Sequence, residues 1–419
     1  MKRTLMTLLT AWAALTGTAQ VQPTSALVGT WSGKLDLGGV SLTLVFHLEQ
    51  ADDYVAVTMD SPDQGAKGIG CRKDYLSDDS LAVSVPMINA TYRARLDGDK
   101  LDGTFAQSGL SLSLALTKGE PQANRPQRPQ PPYPYTTQEV TFKNEADGAT
   151  LAGTLTFPVD FDKRKAGSVP VLLMVSGSGQ QNRNEELMQH EPFLVIADHL
   201  ARHGIATLRY DDRATAASTG GEVKTATTAD FMRDAAAGID FLRGRKEFGK
   251  VGCMGHSEGG TIAFMLAARG KTDFIVTLAA PGVKGDTLLT VQSNRIMTLS
   301  GKPADMTVET LRQQAAIAQI PWMQWFMDYD PSDDIRKTRC PVMALNGEND
   351  SQVVCTQNLP AIQQLLPPSK KHLCKSYPSL NHLFQHCSTG LPNEYSLIEE
   401  TIAPEVLSDM AAWIGSLDD

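Results

Sequence analysis

The sequence predicts an α/β protein, with a mostly parallel sheet flanked by helices, preceded by a small all-β domain. From about residue 137 onward, short apolar runs alternate with stretches of helical periodicity, as in parallel sheets whose two faces are covered by helices. Between Leu27 and Leu116, apolar and polar residues alternate with a period of two in short segments separated by turn residues. That second pattern is typical of a β-sandwich or a barrel-like domain.

The composition is that of an ordinary globular protein. The 419 residues correspond to two or three domains at about 150 residues each. Hydrophobic residues make up 42% of the chain and charged residues 20%, which argues against disorder. The net charge of -9 argues against a nucleic-acid-binding surface, so the sequence predicts no nucleic-acid partner.

Residues 1–19 have the features of a secretory signal peptide. Lys2 and Arg3 form a basic start, and the apolar run Leu5–Leu15 is shorter than the roughly 20 residues that span a bilayer. Small residues at positions 17–19 have the usual spacing of a cleavage site. The alternative is an ordinary buried N-terminal helix. We expect bacterial export to the periplasm or the medium, and no membrane insertion of the mature protein.

A small β-sandwich or barrel-like domain is predicted over residues 20–118. Its alternating segments include Ser41–Glu49, Tyr54–Met59, Ser80–Val85 and Ser111–Thr117. No nucleophile with an accompanying base stands out among them. We therefore expect a structural or substrate-shaping role for this domain rather than a catalytic one.

A proline-rich segment, residues 119–136, separates this domain from the rest of the chain. Six prolines lie between Gly119 and Tyr135, which excludes a helix or a central strand. The segment is predicted to be an extended linker or a strap that lies on a domain surface.

The six cysteines are too few for a disulfide scaffold in a chain of this length. Cys253 and Cys340 lie in apolar runs, which predicts buried free thiols. Cys355, Cys374 and Cys387 lie near the C-terminus, and one disulfide between two of them is expected. No C-x-x-C spacing is present, so zinc and redox sites have no support.

The second domain is predicted over residues 137–419. Buried strands are predicted at Val169–Gly177, Ile205–Asp211 and Val251–Gly255, with helical segments between them. A helical insertion at about 283–339, rich in Met, Leu and Trp, interrupts the alternation. This insertion is predicted to form a cap.

Gly255, Ser257 and Gly259 form a G-x-S-x-G motif between a predicted strand and a predicted helix. That context is typical of a nucleophile elbow, because the glycines leave room for a strained turn that exposes the serine hydroxyl group. We therefore predict Ser257 as a nucleophile, against the alternative of a glycine-rich connection without chemistry. The neighbouring His256 is predicted to point away from the serine.

A catalytic serine requires a base, and the base requires a carboxylate that orients it. With this type of elbow both lie downstream of the serine. The predicted strand Pro341–Gly347 is followed by Glu348 and Asp350, either of which could be the acid. His382 lies in a turn-like segment 32 residues beyond Asp350 and is the predicted base. The rival bases are His372 and His386.

The oxyanion of a tetrahedral intermediate requires preorganised N–H donors, each worth about 3 kcal/mol. One donor is predicted to be the amide of Glu258, directly after the nucleophile. The other is predicted in the glycine-rich loop at 176–183, at Ser178 or Gly179. This loop lacks the spacing and the Lys of a phosphate-binding loop.

Residues from about 137 to 419 resemble the α/β-hydrolase superfamily. The segments GSGQQNRN, GHSEGG, LNGENDSQV and LNHLFQ, with Asp211–Arg213, are similar to bacterial secreted carboxylesterases of the dienelactone-hydrolase and serine-aminopeptidase-like branch. Several of those proteins carry an additional N-terminal β-domain. The resemblance implies Ser257 as nucleophile, Asp350 as acid and His382 as base. It also implies that Asp212 and Arg213 support the architecture of the active site rather than the chemistry.

These residues predict acyl transfer to Ser257 and hydrolysis of the acyl-enzyme by water, with no metal and no organic cofactor. In the cap, Trp322, Trp325 and Phe326 are predicted either to line an acyl pocket or to pack the core of the cap. We expect a small-molecule ester substrate, with a small, acetyl or aryl group. The alternatives are a serine peptidase of the aminopeptidase kind and a non-catalytic binding protein.

Overall fold

The computed structural model describes residues 26–38, 41–51, 54–64, 66–121 and 123–418. These residues form two compact units, divided between residues 122 and 123. The predicted signal peptide, residues 1–19, lies outside the described residues. Within the described ranges, no helix has the length and apolar character that a membrane crossing requires.

The first unit is a closed barrel of eight antiparallel strands. The strands are β1 (Gly29–Asp36), β2 (Ser41–Gln50), β3 (Val55–Ser61), β4 (Ala66–Leu76), β5 (Ser80–Val85), β6 (Ala90–Asp97), β7 (Lys100–Gln107) and β8 (Leu110–Lys118). Each strand pairs with the next, and β1 also pairs with β8, where Trp31 lies opposite Lys118. The predicted small all-β domain is confirmed, and its closure makes it a barrel rather than a sandwich.

The alternating sequence places one face of each barrel strand in a hydrophobic core of its own. Trp31, Phe46 and Tyr92 are fully buried in this core. The rings of Phe46 and Tyr92 stack with their centres 5.0 Å apart. The Tyr92 hydroxyl group lies 3.1 Å from the carbonyl oxygens of Leu101 and Leu114, so its polar atom is satisfied inside the barrel.

The second unit is built on a mixed sheet of eight strands. The strands are β9 (Thr137–Asn144), β10 (Ala149–Thr156), β11 (Val169–Val175), β12 (Ala206–Tyr210), β13 (Phe248–His256), β14 (Phe274–Leu278), β15 (Val342–Gly347) and β16 (Leu373–Tyr377). Their order is β16-β15-β14-β13-β11-β12-β10-β9. Within this described sheet, β10 runs in the direction opposite to the other seven strands. From β11 the chain continues to β12 on one side and then to β13 on the other side, so the strand order reverses between β11 and β13. In open α/β sheets, ligands bind in the crevice at the carboxyl ends of the strands at such a point.

Helices cover both faces of this sheet. In the described residues they are α1 (Pro192–Arg202), α2 (Thr228–Arg243), α3 (Glu258–Ala268), α4 (Gly285–Leu299), α5 (Val308–Ala318), α6 (Pro321–Asp328), α7 (Ser332–Lys337), α8 (Cys355–Leu365) and α9 (Pro404–Gly415). Val171 and Leu173 of β11 face a core shared with α2, α3 and α8. Leu172 and Met174 face a second core shared with α1 and α9. The predicted α/β class is thereby confirmed, because successive residues of a strand meet opposite helical layers.

The insertion between β14 and β15 consists of the helices α4 to α7. Leu288 of α4 and Phe326 of α6 join the same core as α1 and α9. Gly285 lies so close to α6 that an added Cβ atom would be 1.8 Å from the carbonyl oxygen of Phe326. The insertion therefore packs on the sheet through α4 and α6.

The proline-rich segment is a strap on the second unit from residue 123 onward. The Arg125 guanidinium donates to the carbonyl oxygens of Ile398 and Ser396, at 2.9 and 3.1 Å. The Gln127 amide donates to the carbonyl oxygen of Ile402 at 2.6 Å and accepts from its backbone N–H at 3.0 Å. These side chains satisfy backbone groups of the irregular segment 396–402 and thereby hold the strap on the second unit.

All six cysteines are free. The expected disulfide among Cys355, Cys374 and Cys387 is therefore wrong. Cys355 begins α8 and Cys374 lies in β16, whereas the Cys387 thiol contacts the carbonyl oxygen of Ser379 in the following loop. Burial raises the pKa of the Cys355 and Cys374 thiols to about 11, which disfavours the thiolate needed for disulfide exchange.

Candidate active site

Ser257 lies at a strained turn between β13 and α3. Its backbone has φ 54° and ψ -117°, a conformation that a serine rarely adopts. The flanking glycines are required by close backbone approach, since a Cβ atom at Gly255 would lie 1.9 Å from the carbonyl oxygen of Gly259. A Cβ atom at Gly259 would lie 2.1 Å from the carbonyl oxygen of Val175. The motif thus has the geometry of a nucleophile elbow at the carboxyl end of the sheet.

His382 and Asp350 lie in the loops that follow β16 and β15. The Nδ1 atom of His382 is 2.8 Å from Oδ2 of Asp350, and both side chains are buried. The other carboxylate oxygen accepts the backbone N–H groups of Gln352 and Val353 at 2.7 and 2.9 Å. This arrangement orients the imidazole with Nδ1–H toward the acid, which leaves Nε2 for proton transfer. Ser257 and His382 line one pocket of about 280 Å³.

The rival residues lie outside the lining of this pocket. His386 is half exposed and pairs with Glu400 and Glu405. The His372 ring accepts the backbone N–H of Val342 at 3.1 Å, at the opposite end of β15. Glu348 accepts the hydroxyl group of Ser376 at the surface. None of these three rivals is placed to act on a substrate beside Ser257.

The glycine-rich loop after β11 passes beside Ser257. A Cβ atom at Gly177 would lie 3.4 Å from Cβ of Ser257, and the Gly177 N–H donates to Oε1 of Glu185 at 2.7 Å. Ser178 lines the pocket, whereas Gly179, with φ 94°, lines a small cavity behind it. Glu258 begins α3, so its amide is one of the unpaired N–H groups at that helix N-terminus. Which amides receive the oxyanion stays a prediction.

Asp212 binds this loop through hydrogen bonds. Its carboxylate accepts the Gln181 N–H at 2.8 Å and the Ser176 hydroxyl group at 3.2 Å. Burial raises the pKa of Asp212 to about 8, against the opposing effect of these hydrogen bonds. The adjacent Arg213 turns away and pairs with Asp234, with Nε 2.7 Å from Oδ2. Both contacts organise the backbone around the site without reaching the pocket.

The pocket walls come from the cap and from the loops at the sheet edge. Trp322 and Phe326, one turn apart on α6, line the pocket and stack with ring centres 5.2 Å apart. Trp325 points elsewhere and stacks on Tyr329 at 4.9 Å. The lining also includes the apolar Leu288 and three neutral amides. The amides are Gln181, Gln292 and Gln352.

The carboxyl group of Glu258 is a contact that the sequence did not reveal. It is only 3% exposed and accepts the hydroxyl group of Thr228 at 2.7 Å and the indole N–H of Trp322 at 2.8 Å. The hydroxyl group of Ser178 is a third partner. Burial raises the pKa of this carboxyl above its ordinary value, although the hydrogen bonds oppose the shift. The side chain of Glu258 thus connects α3, the cap and the glycine-rich loop.

His256 also has a place that the sequence did not predict. Its side chain is buried, lines the pocket and contacts Glu185 and the backbone of His382. The expectation that it points away from the serine hydroxyl group is not tested by these contacts. No sequence signal linked it to Glu185, because the two lie 71 residues apart.

Among the described residues, no group of three or more His, Cys, Asp or Glu side chains is arranged to hold a metal ion. The polar side chains that converge on the pocket are two serines, two histidines, a carboxylate and three amides. That donor set is suited to acyl transfer through a serine nucleophile.

The sheet order, the covering helices and the elbow define the second unit as an α/β hydrolase. Within that class, residues 191–367 match the family model described as serine aminopeptidase, S33. This match, which covers less than half of the chain, agrees with the resemblance inferred from the motifs.

Known proteins with related sequences or folds include esterases. Over 278 residues the chain is 24% identical to esterase EstD of Thermotoga maritima, covering 63% of this chain and 65% of that protein. The match thus spans a little less than two thirds of the relative's length. The solved esterase Pf2001 of Pyrococcus furiosus is 17% identical, with TM-score 0.45 and coverage of 71% and 98%. Ferulic acid-bound Est1E from Butyrivibrio proteoclasticus is 16% identical, with TM-score 0.43 and coverage of 66% and 100%.

Proposed function

We propose that this protein is a serine hydrolase that cleaves carboxylic esters through Ser257, His382 and Asp350. The observation that carries the proposal is the 2.8 Å contact between His382 Nδ1 and Asp350, in the pocket that the strained Ser257 also lines. A buried acid that orients a histidine, in a pocket that a serine also lines, is the arrangement that activates a hydroxyl group for attack.

The proposed reaction has two halves. His382 Nε2 accepts the proton of the Ser257 hydroxyl group as its oxygen attacks the ester carbonyl carbon, and the same histidine then protonates the departing alcohol. Water enters, gives a proton to His382 and attacks the acyl-enzyme, which releases the carboxylic acid and restores the serine. The amide of Glu258 and that of Ser178 or Gly179 are proposed to stabilise the oxyanion in both halves.

The pocket supports a small, uncharged substrate. Its volume of about 280 Å³ is at the lower end of the range for small-molecule sites. Trp322 and Phe326 supply flat apolar walls that suit an aryl or short acyl group. We therefore propose small acetyl or aryl esters as substrates.

An aminopeptidase is the second candidate, because the matching family model carries that description. Such an enzyme must bind the positively charged α-amino group of its substrate, which calls for an unpaired carboxylate in the pocket. The pocket carboxylate of Glu185 is already paired with His256 and with the Gly177 N–H. This pairing favours the ester over the peptide substrate.

The decisive experiment compares p-nitrophenyl esters of increasing acyl length with aminoacyl p-nitroanilides. We expect ester turnover that is greatest for short acyl groups and is abolished in Ser257→Ala. Cleavage of the anilides without cleavage of the esters would establish the peptidase instead. Turnover of neither substrate would favour a non-catalytic binding protein.

The base is tested by comparing His382→Ala with His386→Ala. The first variant should lose activity by several orders of magnitude, and the second should retain it, because His386 pairs with surface carboxylates. A larger loss for His386→Ala would reassign the base.

We further propose that the protein is exported after removal of residues 1–19. The basic, apolar and small-residue pattern of this segment supports the proposal. N-terminal sequencing of protein from the periplasm or medium should begin close to Gln20. Full-length protein retained in the cytoplasm would contradict export.

A further inference from the structure

His256 makes two hydrogen bonds in the interior of the site, and both partners are acceptors. Its Nδ1 atom lies 2.9 Å from Oε1 of Glu185, and its Nε2 atom lies 3.0 Å from the carbonyl oxygen of His382. A neutral imidazole has a single N–H group. Both bonds can form together only if the His256–Glu185 pair holds an additional proton.

The surroundings favour that proton on the imidazole. Oε1 of Glu185 already accepts the Gly177 N–H at 2.7 Å, which suits an ionised carboxylate. Burial opposes the charged form of His256, but the Glu185 carboxylate outweighs it and raises the pKa of the ring, with help from the His382 carbonyl group and the Asp350 charge. The buried pair is thus an imidazolium and a carboxylate.

The pair touches three of the segments that contribute to the proposed reaction. His256 directly precedes the nucleophile in β13, Glu185 binds the backbone of the loop beside Ser257, and the His382 carbonyl group belongs to the base itself. The ring centres of His256 and His382 lie 4.7 Å apart, with the ring planes inclined at 45°. The hydrogen bond from His256 to the His382 carbonyl group holds the base through its backbone.

We propose that protonated His256, paired with Glu185, is a positioning group that orients the His382 loop and the glycine-rich loop for attack by Ser257. It acts through these neighbours and transfers no proton to the substrate. This inference rests on the proposed serine-hydrolase function. It implies that activity depends on the protonation of a second histidine beside the catalytic one.

The sign of the pH effect follows from the two acceptors. At low pH the imidazolium keeps both bonds, and as pH rises through the pKa of His256 one bond is lost. General-base catalysis requires a neutral base, so activity is also lost on the acid side. The positioning group should therefore appear as a loss of kcat on the alkaline side, separate from the acid limb.

Glu185→Gln tests this prediction because it preserves side-chain size while removing the charge that stabilises the imidazolium. We expect kcat to fall by about tenfold to a hundredfold at neutral pH, the effect of losing a hydrogen bond to a charged group. KM should change little, and the alkaline limb should move to lower pH. Glu186→Gln is the matched control, because Glu186 is exposed on the same loop and contacts only Asn182 among its described partners.

An alkaline limb in Glu185→Gln that coincides with that of the wild-type protein would overturn the inference. Titration of the inactive Ser257→Ala protein by histidine NMR, with His256→Gln for assignment, gives a readout that needs no activity. A His256 ring that is neutral throughout the neutral range would also overturn the inference. If the ring is charged but the wild-type protein cleaves no ester, the proposed function fails while the buried pair stands.

Discussion

At the scale of single residues, the carboxyl group of Asp212 links stability to pH. Its pKa is raised by burial to about 8 in the folded protein, whereas an unfolded aspartate has a pKa of about 3.9. Between about pH 4 and about pH 8 the folded state therefore binds more protons than the unfolded state. The free energy of unfolding falls as pH rises through that interval, because ionising Asp212 in its buried position is unfavourable.

Asp212→Asn should remove this dependence. The amide cannot ionise, and its oxygen can still accept the Gln181 N–H. Relative to the wild-type protein, the variant should gain stability progressively as pH rises from about 4 to about 8, which urea unfolding at several pH values would measure. Asp305→Asn, at an exposed position of the cap, is the control. If the difference in free energy of unfolding between the variant and the wild-type protein is the same at every pH in this range, Asp212 does not titrate there.

The residues that sequence analysis predicted are those in a local motif or a fixed chain order. The position after a strand left Glu348 open beside Asp350, and the resemblance to known carboxylesterases indicated Asp350 and His382. The strained turn at Ser257 could be predicted because its glycines mark it. Glu185 could not, since its role depends on a buried partner 71 residues away. A surface loop carboxylate and one that carries a buried charge pair are indistinguishable in the sequence alone.

At the scale of elements, the geometry of α6 decides which aromatic residues of the cap line the pocket. Trp322 and Phe326 are four residues apart and therefore share a face, the face that lines the pocket. Trp325 lies on another face and stacks on Tyr329. The composition of the insertion left open whether its aromatic residues line a pocket or pack the cap, because that depends on the direction in which the helix packs.

Trp322→Phe separates the two roles of this side chain. The phenyl ring keeps an apolar wall, but the buried carboxyl group of Glu258 loses the indole N–H donor. We expect a cost of about 1–3 kcal/mol in stability and a shift of the preferred ester toward longer acyl groups, because the ring is smaller. Kinetics over a series of p-nitrophenyl esters would measure the shift.

Trp325→Phe is the matched control on the same helix, since its ring lies outside the pocket lining. It should leave the preferred acyl length unchanged. If the two variants have the same acyl-length profile, Trp322 is a packing residue of the cap and not a wall of the substrate site.

At the scale of the whole molecule, the two units have separate hydrophobic cores. The alternation of apolar residues predicted the strands of the first unit, because a period of two is a local property. It did not predict the closure of the barrel, since β1 and β8 are separated by most of that unit and their pairing is not local. The parallel order of the second sheet was more predictable, because helices between strands require crossover connections.

Separate cores predict that a defect in the barrel is confined to the barrel. Trp31 is 1% exposed, and its indole N–H donates to the carbonyl oxygen of Leu27 at 2.8 Å. Trp31→Ala should destabilise the first unit by about 3–5 kcal/mol, through the cavity that the lost indole ring leaves in the core. Calorimetry should show one transition moved to lower temperature, while ester turnover at 25 °C stays within about twofold of the wild-type value.

Tyr75→Ala, at an exposed position of β4, should change neither quantity. Loss of ester turnover in Trp31→Ala together with the barrel transition would instead show that the α/β hydrolase depends on the barrel for its fold.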